Sequence, residues 1–227
     1  MARAQDLDAE IDSFDRQLGG GNFDVRKLDL ETIVGKNSDA NSSGVPDKGR
    51  AYEFLRYLWT QNALEAGRDQ LIRDSESTPA MIPYIKAAYV RSEFDRLDNY
   101  FARFGFATND VADALSELVV ICWEFVNQGL PNVPTENSDG IAKIRDEISQ
   151  RIADSGALAV YSDTDKQMLA ESFKYQAQFM SNLHNILKTT PNPKLQKKLQ
   201  QLHRRLGESI GLDFVHLKIG ESGFEKR

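Results

Sequence analysis

The stretch Thr108–Gln128, TNDVADALSELVVICWEFVNQ, decides the fold. At 3.6 residues per turn, apolar side chains cover one face of this stretch along its whole length. That face consists of Val111, Leu115, Leu118, Cys122, Phe125 and Val126, and it is widened by Ala112, Val119 and Trp123. A helix so nearly apolar all round must be covered on most sides. The sequence therefore predicts an all-α protein, a single multi-helix bundle around a central helix at 109–128.

A strand is the competing interpretation of part of this stretch. The run Leu118–Trp123 is short, apolar and β-branched, and by itself it also fits a buried strand. Helical spacing over about 20 residues favours the helix. So do Thr108 or Asn109 as an N-cap and Gly129 followed by Pro131 as a stop signal. Four carboxylates within the stretch argue against a membrane span.

The central helix also carries a narrow polar stripe, which consists of Asp113, Glu117, Glu124 and Gln128. Helical spacing places Asp113 and Glu117 on one face, as a pair of acid and base groups would require. A solvated stripe, or ion pairs with Arg or Lys of a neighbouring helix, explains these residues at lower cost. We therefore predict no catalytic residue in the stripe.

The overall composition indicates a globular chain. Of its 227 residues, 41% are hydrophobic and 27% are charged, and the net charge of −6 argues against general nucleic-acid binding. The single cysteine, Cys122, excludes an intramolecular disulfide. The sequence has no apolar signal-peptide core near Met1 and no transmembrane segment. We expect a soluble protein, cytoplasmic as given or exported with its signal removed.

The first 48 residues differ from the rest of the chain. Residues 5–18 form an acidic amphipathic pattern that ends at three glycines, and residues 35–48 have the composition of a polar linker. The apolar face of the first pattern consists of Leu7, Ile11, Phe14 and Leu18. We predict a flexible N-terminal arm at 1–48 and a helical bundle domain at 49–227.

Periodicity predicts five further helices in the bundle. One covers 50–73 and is broken only by Gly67, and the next runs from Pro83 to Phe104. A modest helix at 141–153 has an isoleucine face made of Ile141, Ile144, Ile148 and Ile152.

The last two helices carry clear end signals. Ser162 with Asp165 resembles a capping box that opens a long helix, which Pro191 and Pro193 end. A helix at 194–210 then has a leucine seam made of Leu195, Leu199, Leu202, Leu206 and Ile210. The C-terminal tail is predicted to be extended, with Phe214, Leu217, Ile219 and Phe224 available to dock.

Three segments together carry a resemblance to a known family. They are FGFATNDVADALSELVVICWEFVNQG at 104–129, DTDKQMLAESF at 163–173 and GLDFVHLKIGESGF at 211–224. Over roughly residues 50–224 the chain resembles an uncharacterised bacterial family of helical proteins, known only as a domain of unknown function. The resemblance implies a helical body and, in many relatives, export. It implies no activity.

The sequence contains no familiar catalytic or metal-binding motif. A di-iron site in a helical bundle would need Glu-x-x-His pairs, and there are none. The nearest pattern, Asp213-x-x-His216, lies in the tail, where extended backbone would point the two side chains to opposite faces. Cys122 is expected to be a small core residue, and His184 a partly exposed one. We predict no catalytic residue, no cofactor and no metal.

The helix at 194–210 carries the strongest local charge. Residues 191–227 hold eight Lys or Arg against four Asp or Glu. Its cations flank the leucine seam, a pattern found in membrane-surface and partner-binding helices. The simpler interpretation is a surface helix with its leucines in the core and its cations in water. The candidate partner-binding residues are therefore Leu7, Ile11, Phe14 and Leu18 of the arm and Lys194, Lys197, Lys198, Arg204 and Arg205 of this helix.

Three functional hypotheses follow. The first is a non-catalytic protein-interaction or assembly subunit, either self-associating or an adaptor, with its own copy or another protein as partner. The second is a helical carrier or sensor of a small apolar ligand, enclosed by Phe94, Phe101, Phe104, Trp123, Phe125, Phe173 and Phe179. The third is an enzyme with an unrecognised site.

Overall fold

The computed structural model describes residues 52–75, 79, 81–127 and 138–227. The predicted arm, including its helix at 5–18, lies outside the described residues. The described chain forms seven α-helices and one antiparallel pair of strands. The elements are α1 (Gln61–Asp74), α2 (Met81–Ala88), α3 (Arg91–Phe101), α4 (Val111–Val126), α5 (Ser138–Ser155), α6 (Asp163–Thr189), α7 (Pro193–Ser209), β1 (Leu217–Gly220) and β2 (Gly223–Lys226). The prediction of an all-α fold is confirmed, with a small hairpin added to it.

The predicted central helix is α4. All of its 16 residues are buried except Ile121, Glu124 and Val126. Helices α5, α6 and α7 pack around it, and the contact with α6 is the most extensive. None of the helices in the described ranges is long and apolar enough to cross a membrane.

The N-cap of α4 is Asp110, so the prediction of Thr108 or Asn109 is wrong. Asp110 has extended backbone, and its Oδ1 accepts hydrogen bonds from the amides of Ala112 and Asp113, at 2.8 and 3.3 Å. The helix therefore starts two residues later than predicted.

Helix α1 begins at Gln61 and not near residue 50, because residues 57–60 have no regular secondary structure. Gly67 lies inside α1 and does not break it. A Cβ atom at Gly67 would lie 2.5 Å from the hydroxyl oxygen of Tyr89, so the glycine allows this ring to approach the helix.

The single helix predicted for 83–104 is divided. A break at Tyr89 and Val90 separates α2 from α3, and residues 102–104 form a 3₁₀ turn. Val90 has extended backbone. The buried Tyr89 ring packs edge-on against Phe94, and the two ring centroids are 5.1 Å apart. Aromatic packing thus overrides continuous helical periodicity here.

The later helices follow their predicted end signals. The capping box is present at the start of α6: the Asp165 amide donates to Ser162 Oγ at 3.2 Å, and the Ser162 amide donates to Asp165 Oδ2 at 3.0 Å. Helix α6 ends before Pro191, as predicted. Pro193, however, does not end α6 but begins α7, with Asn192 as the N-cap.

The extended tail docks through its predicted residues. Phe214, Leu217, Ile219 and Phe224 are all buried. Two side chains at the end of α4 anchor the tail backbone, because Trp123 Nε1 donates to Leu217 O at 3.0 Å and Asn127 Nδ2 donates to Phe214 O at 2.9 Å. The tail pairs with itself as β1 and β2, with Ile219 opposite Phe224.

Candidate functional site

A small polar cleft of about 110 Å³ lies at the N-terminal end of α4. Three parts of the chain form its walls: the turn that leads into Arg56, the loop at 105–110, and α5. The charged groups of the cleft are Glu53, Arg56, Asp110, Asp113, Arg145 and Asp146. Four carboxylates thus face two guanidinium groups.

Two of these carboxylates belong to α4 and are almost completely buried. Asp110 is 7% exposed and Asp113 is 6% exposed. Each uses one oxygen locally, because Asp110 Oδ1 caps the helix and Asp113 Oδ2 accepts the amide hydrogen of Ala107. Within the described residues, the remaining oxygens, Asp110 Oδ2 and Asp113 Oδ1, accept no hydrogen bond.

The Arg145 guanidinium directs its hydrogen bonds away from this pair. Its Nη2 and Nε donate to Asp146 Oδ1 at 2.6 and 3.2 Å, and its Nη1 donates to Gly105 O at 2.6 Å. Its Nε remains 3.9 Å from Asp113 Oδ1. Arg145 therefore acts mainly as a clamp between α5 and the 105–110 loop.

Burial and, to a smaller extent, the neighbouring charge of Asp110 raise the pKa of the Asp113 carboxyl to about 7. The Ala107 amide, Arg145 and Lys174 oppose this shift. Burial also raises the pKa of Asp110, although its hydrogen bonds from Asp113 and Ala112 lower it. The cleft thus contains a carboxyl group that titrates near neutral pH.

Behind the cleft lies a network of buried polar side chains, which we call the buried polar network. Its members are Asp98, Glu117, Gln167, Glu171 and Lys174, all at most 3% exposed. Lys174 Nζ forms an ion pair with Asp98 and donates to Thr108 O at 2.7 Å. This contact ties α6 to α3 and to the loop that precedes α4.

Glu117 lies one helical turn after Asp113 and is fully buried. Neither of its carboxyl oxygens has a hydrogen-bond partner in the described chain. Burial raises its pKa well above the usual range, and Lys174 opposes this shift. Of the two alternatives for Asp113 and Glu117, the solvated stripe is wrong, because both side chains are buried. The ion-pair alternative fits Asp113, whose Oδ1 lies 3.9 Å from Arg145 Nε on the neighbouring helix α5.

The other end of the buried polar network holds residues 57–60 in place. Gln167 pairs with the backbone of Thr60, accepting from its amide and donating to its carbonyl, both at 2.8 Å. Glu171 Oε1 accepts hydrogen bonds from Gln167 at 2.8 Å and from Trp59 Nε1 at 3.2 Å. The segment is thus fixed although it is not helical.

Four exposed apolar side chains lie on this segment, shortly before it and shortly before α6, and we call this set the apolar face. It comprises Phe54, Leu58, Trp59 and Val160. Leu58 is 75% exposed and Val160 is 88% exposed. The Leu58 amide donates to Asp163 Oδ2 at 3.2 Å. Leu58 therefore lies beside the start of α6, and Asp163 follows Val160 by three residues.

The basic helix of the sequence is α7, and its leucine seam is buried. Lys194, Lys197, Arg204 and Arg205 are exposed, and Lys198 is half-buried. The seam is therefore unavailable to a membrane surface, whereas the cations face outward. The other candidate partner-binding residues, Leu7, Ile11, Phe14 and Leu18, lie outside the described residues.

The histidines and the cysteine occupy different places. Cys122 is buried, and His184 is half-buried, as predicted. His203 stacks on Phe125 with ring centroids 4.4 Å apart, and burial lowers its pKa to about 4. In the described ranges, no three of the His, Cys, Asp and Glu side chains are placed to hold a metal ion.

Asp213 and His216 were expected to point apart, and this expectation is wrong. Residues 214–216 form a 3₁₀ turn, and His216 Nδ1 lies 2.6 Å from Asp213 Oδ2. Both side chains are exposed. The contact is a local turn interaction at the protein surface.

The sequence interpretation missed most of the cleft and the buried polar network. It singled out Asp113 and Glu117 as a solvated stripe or as ion-pair partners of a neighbouring helix, and it gave no role to Arg145 or Lys174. One signal was present: Gln167, Glu171 and Lys174 recur at helical spacing on one face of α6. No local pattern indicates which helix that face covers.

These features define an all-α protein with a buried polar network between its central helix and the neighbouring helices, and a polar cleft at the N-terminus of the central helix. The chain belongs to a family of unknown function, DUF6683, whose model matches residues 33–227. Searches of curated proteins and of solved structures found no match. The family carries no assigned activity, so function has to be argued from geometry.

Proposed function

We propose that this protein is a non-catalytic assembly subunit that self-associates through its apolar face. The observation that carries the proposal is the exposure of Leu58 and Val160, at 75% and 88%, together with the hydrogen bond from the Leu58 amide to Asp163, which follows Val160 by three residues. Contiguous exposed apolar side chains are uncommon on monomeric proteins and are typical of interaction sites.

The fixed backbone of the segment supports the proposal. Tyr57, Leu58 and Thr60 are each held by a hydrogen bond from or to another part of the chain. Leu55 and Tyr57 are buried on the inner side, so Leu58 cannot turn inward without exposing them. A preorganised surface loses little conformational entropy on binding.

The charges at the edge of the apolar face favour a second copy as the partner. Exposed Glu53 and Arg56 flank Phe54, and exposed Asp163 lies beside Leu58. A twofold axis brings the same surface of two copies together, so a face with charges of both signs can match itself. The self-associated form would have a mass that is a multiple of 25.6 kDa.

Native mass spectrometry of the full chain over a range of concentrations tests the proposal. We expect dimers in the wild type, and we expect Leu58→Asp to weaken association at least tenfold, since a central apolar contact contributes about 2 kcal/mol or more. Ile186→Asp is the matched control, because Ile186 is 44% exposed at the far end of α6. The two positions are about 35 Å apart along the helix axis.

A wild type that stays monomeric at every concentration would overturn self-association. Equal weakening by Leu58→Asp and Ile186→Asp would overturn the assignment to the apolar face. Bound mass from a second polypeptide, lost in Leu58→Asp, would favour the adaptor form of the same hypothesis.

The arm and α7 remain a proposed second contact of this assembly. Residues 1–18 carry two arginines against five acidic residues, and exposed Lys197 and Arg204 of α7 have the opposite sign. Charge complementarity of this kind accelerates and orients association.

The carrier hypothesis has no comparable support among the described residues. The aromatic side chains named for it are at most 7% exposed, and several contact one another, such as Phe101 and Phe104 with centroids 5.9 Å apart. It stays a prediction from the sequence.

A further inference from the structure

We propose that the Glu171 carboxyl group is a pH-sensitive latch, which holds the segment at 57–60 when it is neutral and releases the segment when it is ionised. The segment carries Leu58 and Trp59 of the apolar face, so the latch regulates self-association. This regulatory role rests on the proposed function, whereas the latch itself can be measured in a single copy of the chain.

Glu171 lies at the junction between the buried polar network and the apolar face. Its side chain is 1% exposed, and its Oε1 accepts the indole hydrogen of Trp59, which is itself 36% exposed. The same oxygen accepts a hydrogen bond from Gln167, the side chain that forms both hydrogen bonds to the backbone of Thr60. One carboxyl group thus supports the exposed indole ring and, through Gln167, the backbone of the segment.

Two cations act on Glu171, but each forms an ion pair with another carboxylate. Lys174, three residues further along α6, pairs with Asp98, and Arg91 on α3 pairs with Asp95 at 2.7 Å. Glu171 Oε2 has no hydrogen-bond partner in the described chain. A buried carboxylate without its own counter-ion is costly, so this position favours the neutral carboxyl group.

Burial is the main cause that raises the pKa of Glu171 to about 7. The hydrogen bonds from Gln167 and Trp59 and the charges of Lys174 and Arg91 oppose this shift. The other titratable or charged groups that surround this part of the network are Arg68 on α1, Tyr89 between α2 and α3, Asp98 on α3, Glu117 on α4 and Tyr57 in the segment.

The direction of the pH effect follows from what happens when the segment moves away. Water then reaches Glu171, and its pKa falls towards the ordinary value of 4.5. The latch therefore holds fully below about pH 4.5 and weakens as the pH rises through about 7. Between about pH 5 and about pH 8, these two pKa values change the equilibrium between the held and the released segment by up to about seventyfold.

Hydrogen exchange of the Thr60 amide, measured by NMR in the full chain, tests the latch. Its protection factor, which corrects for the intrinsic pH dependence of exchange, should fall at least about tenfold in the wild type between about pH 5 and about pH 8. Glu171→Gln has nearly the same shape and cannot ionise, so its protection factor should change less than about threefold over the same range. Glu65→Gln, at an exposed position on α1, is the matched control and should behave as the wild type does.

Three outcomes would overturn the latch. The first is a wild-type protection factor that does not fall with pH, which needs no variant. The second is the same pH dependence in Glu171→Gln as in the wild type. The third is a loss of Thr60 protection in Glu171→Gln already at about pH 5, because the charged and not the neutral group would then hold the segment.

Native mass spectrometry of the same chains tests the regulatory role. The dissociation constant of the wild-type dimer should be about threefold or more higher at about pH 8 than at about pH 5, because less of the chain presents the apolar face. In Glu171→Gln it should be the same at both pH values. A wild-type dissociation constant that does not depend on pH would overturn the regulatory role. A chain that stays monomeric at both pH values would overturn the proposed function and this role with it, but not the latch.

Discussion

Glu117 is the most deeply buried acidic side chain in the described chain, and its carboxyl group has no hydrogen bond there. Burial raises its pKa above that of a glutamate in the unfolded chain. The contribution of such a group to stability is fully present below the unfolded pKa, and it is lost as the pH rises through the folded pKa. Glu117 should therefore make folding less favourable at alkaline pH.

The substitution Glu117→Gln tests this linkage, because glutamine has nearly the same shape and cannot ionise. We expect the variant to gain free energy of unfolding relative to the wild type as the pH rises from about 5 to about 8, by about 1–3 kcal/mol. Urea denaturation followed by circular dichroism at both pH values gives the difference.

Glu208→Gln is the control for this measurement, since Glu208 is exposed on α7. Its effect should stay within about 0.5 kcal/mol at both pH values. A constant difference between Glu117→Gln and the wild type across the pH range would contradict a raised pKa in the folded protein.

At the scale of elements, the segment at 57–60 depends on α6 more than on its own residues. Gln167 makes both backbone contacts to Thr60, and it also donates to Glu171, which accepts the Trp59 indole. In a helix or a strand, other backbone groups would have formed hydrogen bonds with the amide and carbonyl of Thr60. Here the side chain of Gln167 on α6 forms them.

Gln167→Ala should therefore release the segment. We expect a loss of about 1–3 kcal/mol in the free energy of unfolding, because buried hydrogen-bonding groups lose their partners. Hydrogen exchange should accelerate at the Thr60 amide, and Trp59 fluorescence should shift to the red. Gln201→Ala on the exposed side of α7 is the matched control, and equal exchange rates in both variants would contradict this role.

Periodicity predicted the helices that bury a continuous apolar face. The isoleucine face of α5 and the leucine seam of α7 are buried in the structure as the sequence indicates. Periodicity failed where a distant residue decides the backbone. The break at Val90 follows the packing of Tyr89, and the start of α1 follows the contact between Gln167 and Thr60.

The candidate site was harder to predict for the same reason. Asp113 and Glu117 look solvated in the sequence because charged residues on a helix usually are. Glu117 is buried close enough to Lys174 of α6 to feel its charge, and Asp113 is buried in the cleft beside Arg145 of α5. Arg145 approaches the cleft from a helix that follows α4 in the chain. Neither the position of Lys174 nor that of Arg145 relative to α4 is indicated by a local pattern in the sequence.

At the scale of the whole molecule, the tail and the loop before α4 close opposite ends of the central helix. Trp123 and Asn127 hold the tail at its C-terminal end, whereas Asp110 and the cleft lie at its N-terminal end. The apolar face adjoins the cleft, because Phe54 lies between Glu53 and Arg56, which line it, and Leu58 reaches the start of α6.

The boundary of the folded body is a prediction for the whole chain. The sequence places it at residue 48, where a polar linker ends, but the family match begins at residue 33. The described residues bury an extensive core by themselves, from Leu55 to Phe224. The start of the family match and the extent of the buried core both bear on how many residues of the arm the helical bundle needs in order to fold.

Deletion of residues 1–32 and deletion of residues 1–48 distinguish the two boundaries. If the linker boundary is right, both truncated chains should unfold cooperatively within about 1 kcal/mol of the full chain, since surface segments contribute little to stability. Native mass spectrometry of the same chains then reports on the arm: association should weaken in both if Leu7, Ile11, Phe14 and Leu18 contact a partner. A folded 33–227 chain beside an unfolded 49–227 chain would instead move the boundary to residue 33. Residues 33–48 would then belong to the body, because the linker composition would conceal a segment that the core requires.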